Sequence, residues 1–132
     1  MERAPNDGLP EFKPVALYYD DADFVEYVLT DSPCVYKRID DMLTVALDMH
    51  SRQPIGFRLK GFKNYFLQKI RPDLDKFGGI SFVQLTGVLL NRVQEVGDAL
   101  FADEIKKTAY KSAIEISKNA VLEELPQPAR AA

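Results

Sequence analysis

The stretch Asp41–Phe62, DMLTVALDMHSRQPIGFRLKGF, carries the clearest periodicity in the chain. On its first arm Leu43, Val45 and Leu47 alternate with Met42, Thr44, Ala46 and Asp48; on its second, Ile55, Phe57 and Leu59 alternate with Gly56, Arg58 and Lys60. A period of two sends successive side chains to opposite sides of a pleated sheet. Each arm therefore has one apolar face, and the two together read as a β-hairpin with Arg58, Lys60 and Asp48 left in water. The polar turn from His50 to Pro54 ends on a proline placed where the next strand begins.

Working back from the hairpin, Val15–Tyr19 and Phe24–Thr30 are two strands rich in β-branched and aromatic residues, joined through Asp20, Asp21, Ala22 and Asp23. Asp31, Ser32 and Pro33 supply a further turn, and alternation resumes from Cys34 to Ile39 until Asp40 and Asp41 interrupt it. The expectation is about five antiparallel strands in sequence order, a meander whose neighbours pair through short turns.

Working forward, the period changes after Gly61. Phe62, Phe66 and Ile70, with Tyr65 beside them, follow helical spacing until Pro72 stops them. Ser81 then opens a longer helix as N-cap, with Gln84 completing a capping box and Phe82, Leu85, Leu89, Val93, Val96 and Leu100 on one stripe. Asp103 caps another helical segment running to about Leu122, with Ile105, Ala109, Ala113, Ile116 and Ala120 on one face and Tyr110, Ile114 and Val121 on a second. The two segments either turn at Ala102–Asp103 or form one long helix bent near Gly97. Strands followed by helices give an α+β domain, an antiparallel meander packed on one face by C-terminal helices. Its sheet face is expected to meet the stripe from Phe82 to Leu100. In outline, residues 1–13 form a flexible arm, 14–125 a single domain (14–61 sheet, 62–125 helical), and 126–132 a flexible tail.

The 132-residue chain is long enough to bury a core without cross-links, and its one cysteine, Cys34, has no internal partner, which points to a reducing compartment. No apolar run approaches the roughly 20 residues of a membrane span, and the N-terminal residues lack a hydrophobic signal core. A soluble cytoplasmic protein is expected. The net charge of −3 is mild and implies neither general nucleic-acid affinity nor an acidic solvating tail.

Between Tyr18 and Phe62 the runs YYDDADFVEYVLTD, PCVYKRIDDMLTVALD and PIGFRL resemble a family of small bacterial proteins, the domain-of-unknown-function family 2283. The matching positions are Tyr19–Asp20, Asp23 to Asp31, Leu43 to Asp48 and Gly56 to Leu59. The resemblance implies a meander sheet and a protein partner, and it carries no catalytic residue across. The polar turn from His50 to Pro54 and the helical half after it depart from the family pattern.

Four sets of residues invite a functional reading. Cys34 and His50 are the only thiol and imidazole and would make a hydrolytic pair, but no glycine-rich loop or helix N-terminus beside Cys34 would lower its pKa or build an oxyanion site. Asp20, Asp21, Asp23, Asp40, Asp41 and Asp48 have the oxygen chemistry of a magnesium or calcium site, yet they sit at strand ends, where aspartates ordinarily bond their own backbone. Arg58, Lys60, Lys63, Lys69 and Arg71 occur with no intervening acid, interleaved with Phe62, Tyr65 and Phe66, the pairing of cations and rings that a single-stranded nucleic acid needs. Helical spacing assigns Phe62 and Phe66 to the core instead. Lastly, Tyr110, Ile114, Ile116 and Val121, with Leu122 and Leu125, form surplus apolar surface suited to a second copy of the chain. Phosphate-loop, dinucleotide and zinc signatures are absent, and no cofactor is expected. The balance favours a non-enzymatic homodimeric interaction or regulatory module over a binder of nucleic acid or a small ligand, and over a hydrolase.

Overall fold

The computed structural model describes residues 12–72, 82–123 and 125–126. Most of the expected arm, Ser81 of the expected capping box and the tail from 127 onward lie outside them. Pro126, expected to begin that tail, is buried.

Five strands form one antiparallel sheet: β1 (Leu17–Tyr19), β2 (Phe24–Val28), β3 (Cys34–Arg38), β4 (Leu43–Asp48) and β5 (Pro54–Lys60). The β1–β2, β3–β4 and β4–β5 pairs join neighbours in sequence as expected. One link differs from sequence order. The spatial order is β1-β2-β5-β4-β3, so β2 pairs with β5, placing Val25 opposite Leu59 and Tyr27 opposite Phe57. Residues 29–33 cross the end of the hairpin, held by Leu29 N–H to Ile55 C=O (2.8 Å) and Met49 N–H to Pro33 C=O (3.0 Å). The local turns are satisfied whether β2 joins the three-stranded unit at β3 or at β5. The arrangement adopted centres the strand bearing Phe57 and Leu59, both fully buried, and leaves at the edge the strand bearing Lys37 and Arg38.

Val25, Tyr27, Leu43, Val45, Phe57 and Leu59 line the buried inner face. Leu47 and Ile55 were expected beside them but are only half-buried, because the register slips there: Ala46 faces Gly56 while Leu47 faces Pro54, making Ile55 the extra residue of a bulge. At Gly56 the chains approach so closely that a methyl group would lie 2.5 Å from both the Tyr27 carbonyl oxygen and Val28 Cγ1.

After the sheet, α1 (Phe62–Tyr65) runs on into a π-helical turn, Phe66–Ile70. Phe62, Phe66 and Ile70 are all buried, as their spacing indicates. The next helix starts later than expected. Val83–Gln84 is a short strand, β6, and α2 spans Leu85–Val96. Gln84 is extended and directly precedes the helix, so it is not the third residue of a helix as expected; the Leu85 N–H is satisfied by the Ala120 carbonyl at 3.0 Å. Phe82 precedes the helix and stays exposed. Gly97, at φ 62°, breaks the helical run, and a short α3 (Asp98–Phe101) leads to α4 (Glu104–Ile116). The Asp103 carboxylate caps α4 as expected, accepting from Lys106 N–H at 3.0 Å.

α4 was expected to continue to Leu122 but ends at Ile116, followed by a 3₁₀ turn (Ser117–Asn119) and β7 (Val121–Leu122), which pairs with β6. The buried Ser117 hydroxyl donates to the Ile114 carbonyl (2.8 Å) and meets the Thr86 hydroxyl (2.8 Å), while Thr86 also donates to the Ser117 carbonyl (3.0 Å). These bonds tie the end of α4 to the start of α2. Layering also departs from expectation: α4 lies on β4 and β5, and α2 packs chiefly on α4. Ala109 and Ala113, both buried, allow that close approach to the sheet. No helix among the described residues is long and apolar enough to cross a membrane.

Candidate functional site

The outer face of the sheet is neither bare nor fully wet. Direct partners across the ladder share a face, which gathers Leu17, Glu26, Arg58, Thr44 and Arg38 in one row, with Tyr19, Phe24 and Lys60 on one side and Val28, Gly56, Ala46 and Tyr36 on the other. Arg58, expected in water, lies half-buried against two rings, its guanidinium carbon 4.0 Å from the Tyr36 centroid and 4.6 Å from that of Phe24. Its Nε donates to Glu26 Oε2 at 2.7 Å, the Tyr36 hydroxyl donates to the same oxygen at 3.0 Å, and Arg58 Nη2 donates to the Tyr36 hydroxyl at 3.2 Å. Thr44 and Ala46 are buried beneath this cluster.

Electrostatics lock the cluster in one state. Burial raises the Tyr36 hydroxyl pKa, with hydrogen bonds to Cys34 and Glu26 adding to the rise. Burial would lower the Arg58 pKa, but the bond to Glu26 and the charges around it more than reverse this, so the cation is held. On the β1 side of this centre the exposed side chains are apolar. Val15, Leu17 and Tyr19 point outward by alternation from buried Ala16 and half-buried Tyr18, and are 55%, 42% and 40% exposed; Tyr36 is 45% exposed. Tyr19 and Phe24 pack with ring centroids 4.8 Å apart and planes tilted by 35°.

The expected nucleic-acid residues do not act as one surface of free cations. Arg58 is paired as described, and Lys69 is bonded to Glu95 at 3.1 Å. Lys60 is exposed on the outer face, Lys63 is half-buried at the start of α1, and Arg71 follows the π-helical turn. Phe62 and Phe66 are core residues with no face left for a base, and the Tyr65 hydroxyl, pushed up to about 12 chiefly by burial, donates to Asn91.

Most of the six aspartates are accounted for by backbone and neighbouring side chains. Asp23 Oδ1 accepts from the Tyr18 hydroxyl (2.9 Å) and Lys63 N–H (2.8 Å). Asp48 Oδ1 accepts from the His50 and Ser51 N–H groups at 2.8 and 2.9 Å, and with Ser51 foremost these bonds lower its pKa. Asp40 Oδ1 accepts from Met42 and Leu43 N–H at 2.9 and 2.7 Å, and its Oδ2 from the Tyr110 hydroxyl at 2.7 Å. Asp41 is bonded to Arg92 at 3.0 Å; Asp20 and Asp21 are exposed in the β1–β2 turn. Among the described residues no three carboxylates, imidazoles or thiols converge as metal ligands would.

Asp40 is the centre of a clamp between the β3–β4 turn and both long helices. Arg92 of α2 donates from Nε to the Tyr110 hydroxyl of α4 (3.3 Å) and lies 3.9 Å from Asp40. Burial would raise Asp40, but the Leu43 N–H, the Tyr110 hydroxyl, the Met42 N–H and the Arg92 charge hold it below the usual carboxylate range. Burial raises the Tyr110 hydroxyl, and the bond to Asp40 adds to that. Asp40 is thus held as the carboxylate and Tyr110 as the neutral phenol, which suits a structural clamp.

Cys34 opens β3 opposite Asp48, and His50 lies in the following turn with its N–H bonded to that aspartate. The Cys34 thiol lies on the outer face, where it adds to the rise of the Tyr36 hydroxyl pKa. The helical residues expected at a dimer interface are divided. Tyr110 is fully buried in the clamp and Leu122 fully buried in β7; Ile114 and Ile116 are half-buried, Leu125 packs against the core, and Val121 is 38% exposed. Tyr110 and Leu122 are therefore part of the chain's own core and not of a free surface.

No family model, curated protein or solved structure matches the chain. The Glu26–Arg58–Tyr36–Phe24 cluster was not legible in the sequence: its members come from three strands, and Glu26 meets Arg58 only because β2 pairs with β5. The one available signal was the alternation of Val15, Leu17 and Tyr19, which puts three large apolar side chains on one side of β1; that this side is the exposed one follows only from the sheet order and burial.

Proposed function

We propose that the protein is a non-enzymatic interaction module that docks a second copy of itself on the outer sheet face, around Leu17, Tyr19, Phe24 and Tyr36. The observation that carries this reading is the row of exposed apolar side chains on a rigid, hydrogen-bonded sheet. Large exposed apolar patches mark association sites, and tyrosine and arginine dominate the energetics of such contacts. The central cation is already neutralised by Glu26 at 2.7 Å, so the face favours a protein over a polyanion. Its margins carry both signs, Arg38 and Lys60 against Asp20 and Asp21, the composition that a self-complementary two-fold contact requires. The pattern from Tyr18 to Phe62 that resembles family 2283 consists of strand and turn residues, which agrees with an interaction role.

Light scattering on the full chain across the micromolar range tests it. A dimer is expected, and Leu17→Glu and Tyr19→Glu should each shift it to monomer while leaving the circular dichroism spectrum unchanged. A wild-type monomer at high micromolar concentration, or a dimer indifferent to Leu17→Glu, removes the reading.

A further inference from the structure

On the opposite side of the sheet a cleft of about 340 Å³ opens between the free ends of β3 and β4 and the outer flank of α4. It arises from side-chain size. α4 approaches the sheet through Ala109, too small to fill the space beside Val45 and Leu47. Ile39 extends the apolar floor, and Ile105 forms part of the opposite wall although it is 65% exposed, a high value for an isoleucine expected on the buried face.

Polar groups enter this cleft in one pattern. Lys37 and Arg52 line it, no acidic residue does, and neither cation has an ion-pair partner among the described residues. Thr108 and Ser112 add hydroxyls from α4. Arg52 holds a left-handed backbone conformation, φ 63°, which L-residues other than glycine and asparagine seldom adopt, and its N–H is bonded to the Asp48 carbonyl at 2.9 Å. The bulge that sets Leu47 against Pro54 lies in the same wall, and bulges commonly re-aim side chains beside binding sites. A neighbouring recess past Pro54 and Ser112 brings in Lys111 and Glu115 together, so it lacks the single sign of charge that this cleft has.

From the apolar floor, the two cations and the two hydroxyls, we infer that this cleft binds a small amphipathic carboxylate, its head between Lys37 and Arg52 and its hydrocarbon body over Val45, Leu47 and Ile105. At roughly 30 Å³ per water-sized group the volume takes on the order of ten non-hydrogen atoms, the size of a medium-chain fatty acid. Apolar lining with a few convergent polar groups is the ordinary make-up of a small-ligand site. The site is independent of the outer-face interface, which uses the other side of the sheet.

Calorimetric titration of the full chain with octanoate and with octan-1-ol tests the inference. Octanoate should bind saturably at one site, octanol about tenfold more weakly, and added salt should weaken octanoate alone. Arg52→Gln and Lys37→Gln should each cost octanoate about tenfold, the loss of one charge-assisted contact. Thr108→Leu, at an exposed helical position, should fill the cleft and abolish binding without lowering the thermal midpoint. Leu17→Glu should leave binding unchanged. Absence of saturable octanoate binding up to about 1 mM, equal affinity for octanol, or indifference to both Arg52→Gln and Thr108→Leu overturns it.

Discussion

Replacing Asp40 by alanine should be among the most damaging single changes a polar residue in this chain can suffer. Its carboxylate accepts from two backbone N–H groups, those of Met42 and Leu43, and from the Tyr110 hydroxyl, and all three donors belong to buried residues. Each buried group left without a partner costs about 1–3 kcal/mol, and removing one member of a buried charged pair costs about 3–5 kcal/mol. Arg92 keeps its exposed partners Asp41 and Glu95, at 3.0 and 3.3 Å, which places the total toward the lower end, about 3–4 kcal/mol. For a domain of this size that is a fall in thermal midpoint of roughly 10–15 °C. Asp41→Ala, at a side chain 81% exposed, should cost under about 1 kcal/mol although it also touches Arg92. The same comparison has a pH signature. The folded-state pKa of Asp40 is depressed, so its contribution is complete above the unfolded value of about 3.9 and is lost as pH falls through the lower folded value. Thermal denaturation of the wild type, Asp40→Ala and Asp41→Ala from neutral pH into acid should show a gap that narrows only in acid. A cost for Asp40→Ala no greater than that of Asp41→Ala, or a gap independent of pH, would refute the clamp.

Two further expectations follow from the sheet. Gly56→Ala should destabilise by about 2 kcal/mol or more, because its methyl group would meet the Tyr27 backbone carbonyl at 2.5 Å and force β2 from β5; a chemical-denaturation midpoint matching wild type would show that the ladder yields easily. Random single- and double-stranded oligonucleotides should show no saturable binding in a fluorescence titration at low salt, since Arg58 and Lys69 are already ion-paired. Tight binding abolished by Lys60→Ala and Lys63→Ala would replace the protein-docking proposal with a nucleic-acid one.

What could be read from the sequence divides along physical lines. Leu43 to Leu59 announced the hairpin because alternation is a local property, and the cap at Asp103 was legible because its acceptor and donor lie three residues apart. The start of α2 was misread because a serine followed by a glutamine looks the same whether the next turn is helical or extended; β7, nearly forty residues away, decides it by pairing with Val83 and Gln84. Tyr110 was misread for a related reason. On helical spacing it joins an apolar stripe, but its hydroxyl has a buried carboxylate waiting in Asp40, seventy residues earlier.

The same distinction governs both proposed sites. Local pattern gave Val15–Tyr19 as a strand and placed Val45 and Leu47 inward, but it did not say which side of the sheet Val15, Leu17 and Tyr19 would face. Assembly of the two sites depends on which edge of the β3–β4–β5 unit accepts β2. Joining at β5 brings Glu26 to Arg58 and rigidifies the outer face; it also leaves β3 as the free edge, with Lys37 at the mouth of the cleft and no strand beside it. Had β2 joined at β3, the outer cluster would lose its carboxylate and the cleft would lose its open side. A single long-range pairing thus creates both surfaces, and disruption of that pairing at Gly56 should impair the two together, whereas Leu17→Glu and Thr108→Leu should separate them.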